Sequence, residues 1–125
     1  MIWAAVAIGG AIGSVARHGV NHVVAAWTGR PSPYATFTVN MIGCFLIGLL
    51  AGLIAGQRIE LTATARTFVF VGILGGFTTF SSFMLDNLTL ASSGQAAAGL
   101  ANALGQLMVG YLLAYVGYRL GVPSL

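Results

Sequence analysis

The chain has 125 residues, 58% of them hydrophobic and only 6% charged, with a mean hydropathy of +0.92; soluble domains carry about 25% charged residues, so a water-soluble globule is excluded. The net charge of +3 comes from five arginines and no lysine against Glu60 and Asp86. Arg17, Arg30, Arg58, Arg66 and Arg119 are scattered between apolar runs, unlike the single basic face of a nucleic-acid binder, so they read as interfacial anchors and no nucleic-acid partner is expected.

A helix needs about 20 apolar residues to cross the hydrocarbon core of a bilayer. Four crossings with short loops therefore consume nearly the whole chain. The expectation is an all-α membrane protein, residues 1–125 forming one domain of four transmembrane helices over about 2–27, 34–56, 64–90 and 97–120, with no room for a catalytic domain outside the membrane.

The first segment is uncharged from Ile2 to Ala16, a reach of about 24 Å at about 1.5 Å per residue, which puts Arg17 deep, near the far interface. No basic stretch precedes it and no cleavage site followed by a soluble domain is evident, so it reads as a permanent first helix. His18 and His22 lie four apart beside Arg17 and Asn21; with no acid or cysteine near, they read as polar residues at the interface or in a vestibule. Thr28-Gly29-Arg30-Pro31-Ser32-Pro33 supplies two proline breakers and a glycine, which end the helix.

The second segment runs uncharged from Ala35 to Gly56 and is closed by Gln57-Arg58-Ile59-Glu60. It carries Thr36 and Asn40 four apart, on one helical face. Polar groups at that depth face a partner or a cavity, so Asn40 is either an interhelical hydrogen-bonding residue or an N–H donor on an anion path. Cys44, the single cysteine, permits no intrachain disulfide and reads as a small packing residue.

The third segment, Thr64 to Leu90, contains Gly75-Gly76-Phe77-Thr78-Thr79-Phe80-Ser81-Ser82-Phe83 at mid-depth. Each glycine costs about 1 kcal/mol relative to alanine in a helix, and the hydroxyls that follow compete for backbone hydrogen bonds. The spacing predicts a helix broken at mid-membrane. Such breaks supply ion sites, freed carbonyls for cations and half-helix amino termini for anions; a kink filled by packing is the alternative. Phe80 and Phe83 share a face and Thr79 and Ser82 the neighbouring one. A phenyl ring has a positive edge, so these rings are either core or solvation for a small anion.

Ala91-Ser92-Ser93-Gly94-Gln95 is a polar loop, and a fourth segment runs from Ala97 to Leu120 with Asn102 and Gln106 four apart. These two amides and the pair on the second segment could line one route. Glycines recur four apart at Gly9/Gly13, Gly48/Gly52/Gly56, Gly72/Gly76 and Gly117/Gly121. Such seams let helices approach closely in lipid, within a chain or between two. With four crossings, Arg58, Arg66 and Arg119 lie on one side and Arg17 and Arg30 on the other, a weak bias for a rule that counts basic residues near helix ends. Insertion in both directions, giving an antiparallel dual-topology homodimer, follows as a hypothesis.

Residues Gly75 to Phe83 match throughout the Gly-Gly-x-[ST]-Thr-Phe-Ser-[ST]-Phe signature of the Fluc (CrcB) family of fluoride channels, and the chain resembles that family along all four segments. Thr36 and Asn40 resemble its second-helix pair, and Gly9-Gly10 through Arg17 its first-helix pattern. The resemblance implies a dual-topology antiparallel dimer in the bacterial inner membrane with two fluoride pores, passively exporting fluoride. It also implies a structural sodium ion at the two-fold axis, held by the backbone carbonyls of Gly75 and Thr78. By the same resemblance, Phe80 and Phe83 would contact fluoride through ring edges and Asn40 would donate to it. Thr36 would line the pore with them and Arg17 would sit in the vestibule, while Thr79, Ser82, Asn102 and Gln106 are pore-lining candidates on their own positions in the sequence.

Two departures stand out: Ala35 replaces a usual glycine, and the fourth-helix face reads Asn102, Gln106, Gly110 and Ala114 where the family offers hydroxyls. The rival readings are a small multidrug-type exporter and a non-transporting assembly subunit. The exporter exchanges protons at an acid in its first helix, and Ile2 to Ala16 contains none. No catalytic set is recognisable, so an enzyme is not expected.

Overall fold

The computed structural model describes residues 1–30 and 32–124; Pro31, one of the prolines expected to end the first helix, and Leu125 lie outside the described residues. Helix α1 spans Ile2–Thr28 and stops where Gly29 turns left-handed, with φ 68°, and gives its N–H to Ala25 O at 2.9 Å, a conformation that glycine adopts without steric penalty. Helix α2 spans Tyr34–Ala55.

The third rod starts at Thr62, whose hydroxyl accepts the Ala65 N–H at 3.1 Å and so caps α3, Ala63–Arg66. A π-helical stretch, Thr67–Leu74, follows, then a short α4, Gly75–Phe77, and, after a break, α5, Phe80–Ser92. Gly94, with φ 81°, closes α5: Gln95 N–H reaches back to Leu90 O at 2.8 Å and Gly94 N–H to Ala91 O at 3.3 Å, the double bond of a Schellman turn. Helix α6, Ala96–Gly121, then returns antiparallel to α5. No strand occurs among the described residues.

Three of these rods are long and apolar enough to cross a membrane: Tyr34–Ala55, Ala63–Ser92 and Ala96–Gly121, with peak mean hydropathies of 2.2, 1.8 and 1.4. These establish a multi-pass all-α membrane protein. Helix α1 has the length, at 27 residues, but the polar run Arg17-His18 to Asn21-His22 dilutes its apolar character.

The rods are held by close backbone approach, as expected where lipid removes any hydrophobic drive between helices. Helix α6 packs along α2, and α1 along the π stretch and α4. A Cβ on Gly48 would strike Ala114 O, one on Gly52 Tyr118 O, and one on Gly117 Phe45 O. On the other seam a Cβ on Gly9 would lie 2.6 Å from Phe68 O and one on Gly76 2.6 Å from Gly10 O. The glycine seams are therefore filled within the chain. At one end, Arg58 Nη1 donates to Leu120 O at 3.3 Å, so the second loop and the end of α6 share a side of the bundle.

Candidate ion path at the broken helix

The break does not fall on the glycine pair. Gly75 and Gly76 are helical, and Gly76 lies close against Gly10 of α1. Backbone extension begins at Thr78 (φ −83°, ψ 159°) and Thr79 (φ −150°, ψ 116°), two β-branched residues that favour extended backbone. The nonapeptide does break the helix, but its threonines carry the break while Gly76 carries packing.

A side chain replaces the missing helical bonds. Thr79 N–H, which a continuous helix would give to Gly75 O, goes instead to Asn40 Oδ1 at 2.9 Å, and Asn40 Nδ2 donates back to Thr79 O at 3.1 Å. The amide thus pairs both backbone groups of one residue, as a neighbouring strand would. Unsatisfied backbone in hydrocarbon costs several kcal/mol per group, so this clamp is what makes the break tenable. Asn40 Nδ2 also donates to Gln106 Oε1 at 3.0 Å, so Asn40 is an interhelical hydrogen-bonding residue at the break, with both of its N–H groups engaged.

Helix α5 restarts with its own cap. Thr79 Oγ1 accepts the Ser82 N–H at 3.3 Å and donates to Ser82 Oγ at 3.0 Å. The amino end of this 13-residue helix, with its partial positive charge, therefore lies within the bundle. On α4, Gly75 O has lost its helical donor and Gly75 is exposed. Thr78 Oγ1 donates to Leu74 O at 3.0 Å, and Thr78 O accepts from Arg17 Nη1 at 3.4 Å. Arg17 is thus placed at the break itself.

Phe80 and Phe83 stand edge to face with centroids 5.7 Å apart. Phe83 is buried, whereas Phe80 is 69% exposed on the outer face of the chain. Between them and Asn40 opens a cavity of about 350 Å³ whose lining includes Gly75, Thr78, Thr79 and Gln106. No carboxylate lines it.

Of the residues singled out in the sequence, Asn40, Gly75, Thr78, Thr79, Phe80, Phe83 and Gln106 meet here, with Ser82 one bond behind. Asn102 joins through Gln106, whose Nε2 donates to Asn102 Oδ1 at 3.3 Å. Thr36 is buried one turn below Asn40 and shares a hydrogen bond of 3.5 Å with Ser32, away from the break. His18 and His22 lie on α1 outside this cluster.

Sequence reasoning missed Gly43, where a Cβ would collide with the Thr78 methyl group, and Asn87, whose Oδ1 accepts from Asn102 Nδ2 at 2.7 Å. Both had a signal. Gly43 lies one turn beyond Asn40, and Asn87 and Asn102 are nearly equidistant from the Gly94 turn, so an antiparallel hairpin brings them together.

Fold and site together define a multi-pass helical membrane protein whose interrupted rod borders an acid-free, mainly apolar cavity into which a few amides and hydroxyls are set, and breaks of this kind serve ions. Residues 4–118 match the family model described as CrcB-like protein, Camphor Resistance (CrcB), and the chain belongs to that family. It is similar to proteins named fluoride-specific ion channel FluC. The one from Magnetococcus marinus is 44% identical over 116 residues, covering 93% of this chain and 94% of that one. One from Thermus thermophilus is 44% identical over 121 residues, covering 93% and 91%, and the one from Opitutus terrae is 41% identical over 123 residues, covering 96% and 93%.

Proposed function

We propose that this protein is a fluoride-selective channel that lets fluoride leave the cell passively across the inner membrane. The observation that carries the reading is the clamp of Asn40 on Thr79, which opens a helix in mid-bundle beside two phenylalanine rings. Relatives covering more than nine-tenths of the chain carry the fluoride channel name. Fluoride is small and strongly hydrated, so a path must replace its water with several weak donors while staying narrow. Amides, short hydroxyls, a half-helix amino terminus and ring edges do this without the tight grip of a lysine, and conduction requires sites weak enough to release the ion. Passage involves no chemical step, and the protein is not an enzyme.

The working unit in this reading is an antiparallel homodimer of four-helix subunits, α1 included as a crossing, with two pores. Phe80, largely exposed on one protomer, and the open side of the cavity are the surfaces a second copy would cover. Thr36, Asn40, Thr79, Phe80, Ser82, Phe83, Asn102 and Gln106 line the path, and Arg17 draws anions toward it.

A sodium ion on the two-fold axis fits the donor set in part. The Gly75 carbonyl has lost its helical partner on a residue that is exposed, whereas the Thr78 carbonyl takes a long bond from Arg17. Gly75 and Thr78 would hold the ion through backbone oxygens, and a second copy would double the set. The ion would supply a fixed positive charge tying the two breaks together.

Expression in a fluoride-sensitive bacterium tests the function. Tolerance of external fluoride should rise with the wild-type chain and not with the Phe83→Ile variant; unchanged tolerance despite membrane-inserted wild-type protein would count against a fluoride channel.

A further inference from the structure

Behind the clamp, four amide side chains from three helical rods are joined end to end. Asn40 Nδ2 donates to Gln106 Oε1 at 3.0 Å, Gln106 Nε2 to Asn102 Oδ1 at 3.3 Å, and Asn102 Nδ2 to Asn87 Oδ1 at 2.7 Å. The direction of this chain is not free. Thr79 presents a backbone N–H that only Asn40 Oδ1 can accept and a carbonyl to which only Asn40 Nδ2 can donate, so the Asn40 amide has one orientation. Its remaining N–H must meet an oxygen, which orients Gln106, and the same constraint passes to Asn102 and then to Asn87.

The consequence concerns sign. Every amide oxygen in the row is engaged by a neighbour, while Gln106 and Asn102 each keep one N–H outside the chain, as Asn87 keeps its own. A row of amides free to flip would show an anion oxygens as often as N–H groups; this row cannot flip piecemeal, because one reversal sets oxygen against oxygen or N–H against N–H.

The far end is held by the closeness of the hairpin. Gly99, three residues before Asn102, brings α6 so close to α5 that a Cβ there would lie 3.0 Å from the backbone oxygen of Asn87. Gln106 in the middle is buried, which holds its amide between the two neighbours that orient it.

We infer that Asn87 is a positioning residue of the ion path: its side-chain oxygen anchors the far end of a one-way amide chain that starts at the Thr79 backbone and leaves N–H groups, not oxygens, for a passing anion. The inference rests on the fluoride-path reading. It also assigns the amides of α6 the part that the family's hydroxyls play, with polarity imposed from the break.

The test is fluoride efflux from liposomes with wild type, Asn87→Leu, Asn87→Asp, Gln106→Met and the Asn87→Leu/Gln106→Met double variant, each also melted in detergent. Loss of the anchoring hydrogen bond in Asn87→Leu should slow efflux about tenfold. Asn87→Asp keeps an oxygen for Asn102 and should stay within about threefold of wild type. Because the chain acts as a unit, the double variant should be no slower than Gln106→Met alone.

Wild-type efflux in Asn87→Leu, an Asp variant as slow as the Leu variant, or losses that multiply in the double variant would each overturn the role of Asn87. If the Leu variant does not assemble, Asn87→Ala takes its place. A wild-type protein that releases no fluoride overturns the function instead, and melting still reads the chain: shifts of Asn87→Leu and Gln106→Met that add in full would overturn it independently.

Discussion

Asn40 does with one side chain what a helix break in lipid otherwise lacks: it accepts from and donates to the same exposed peptide. Replacing it by aspartate keeps the oxygen facing Thr79 N–H but sets a second, charged oxygen against Thr79 O and Gln106 Oε1. Leaving those acceptors unpaired costs about 1–3 kcal/mol each, so Asn40→Asp should melt earlier in detergent and lose most fluoride efflux; an unshifted melting curve would show that the clamp is not what holds the break. The two phenylalanines should separate by assay. Phe83 is 4% exposed and Phe80 69%, so Phe83→Ile should cost both stability and flux, whereas Phe80→Ile should cost flux alone in a protein that stays folded. At this scale much is legible in the sequence. Asn40, Thr79, Phe80, Phe83 and Gln106 are recognisable because polar or aromatic residues at helical spacing in an uncharged run need a reason. Asn87 is not, because a lone amide near a helix end is ordinary until its partner across the Gly94 hairpin is seen.

Among the elements, the glycine spacing marks close-approach seams but leaves their partners open, since a four-residue repeat defines a face without saying what lies against it. The structure fills the seams from within: Gly48 and Gly52 against Ala114 and Tyr118, Gly9 against Phe68. Neighbouring glycines on α1 supply a matched pair. A Cβ at Gly9 would meet Phe68 O at 2.6 Å, while one at Gly10 meets nothing within 4 Å. Gly9→Val should therefore destabilise the protein by about 1–3 kcal/mol through overpacking, and Gly10→Ala should leave the melting temperature of the protomer unchanged; equal effects at both sites would mean that α1 does not pack on the π-helical stretch as described. The break falls away from the glycines for a physical reason. Glycine weakens a helix on its own, yet Gly76 is kept in the helix by its close contact with Gly10 of α1, and the helix yields at the threonines, where Asn40 offers an alternative partner. The π-helical stretch Thr67–Leu74 has no sequence expectation; its alternating Thr67, Val69, Val71 and Ile73 crowd the turns of an α-helix, a pattern also compatible with ordinary membrane helix.

For the molecule as a whole, the apolar character is evident from composition alone, while the count of crossings rests on α1, whose polar turn at Arg17 to His22 sets it apart from the three more apolar rods. Arg17 turns inward to Thr78 O, which gives that charge a partner within the bundle and removes it from the count of interfacial anchors. A reporter fused to the carboxyl terminus should be found on both sides of the inner membrane in similar amounts; one orientation alone would exclude the antiparallel homodimer.

The central claim is that the broken rod builds a path for fluoride and not for larger halides. It is tested most directly by efflux from liposomes holding the purified wild-type protein, followed with a fluoride electrode and then a chloride electrode under one potassium gradient with valinomycin. The account predicts rapid fluoride loss and chloride loss no faster than from empty vesicles. Equal loss of both ions, or no fluoride loss from a folded sample, would contradict it.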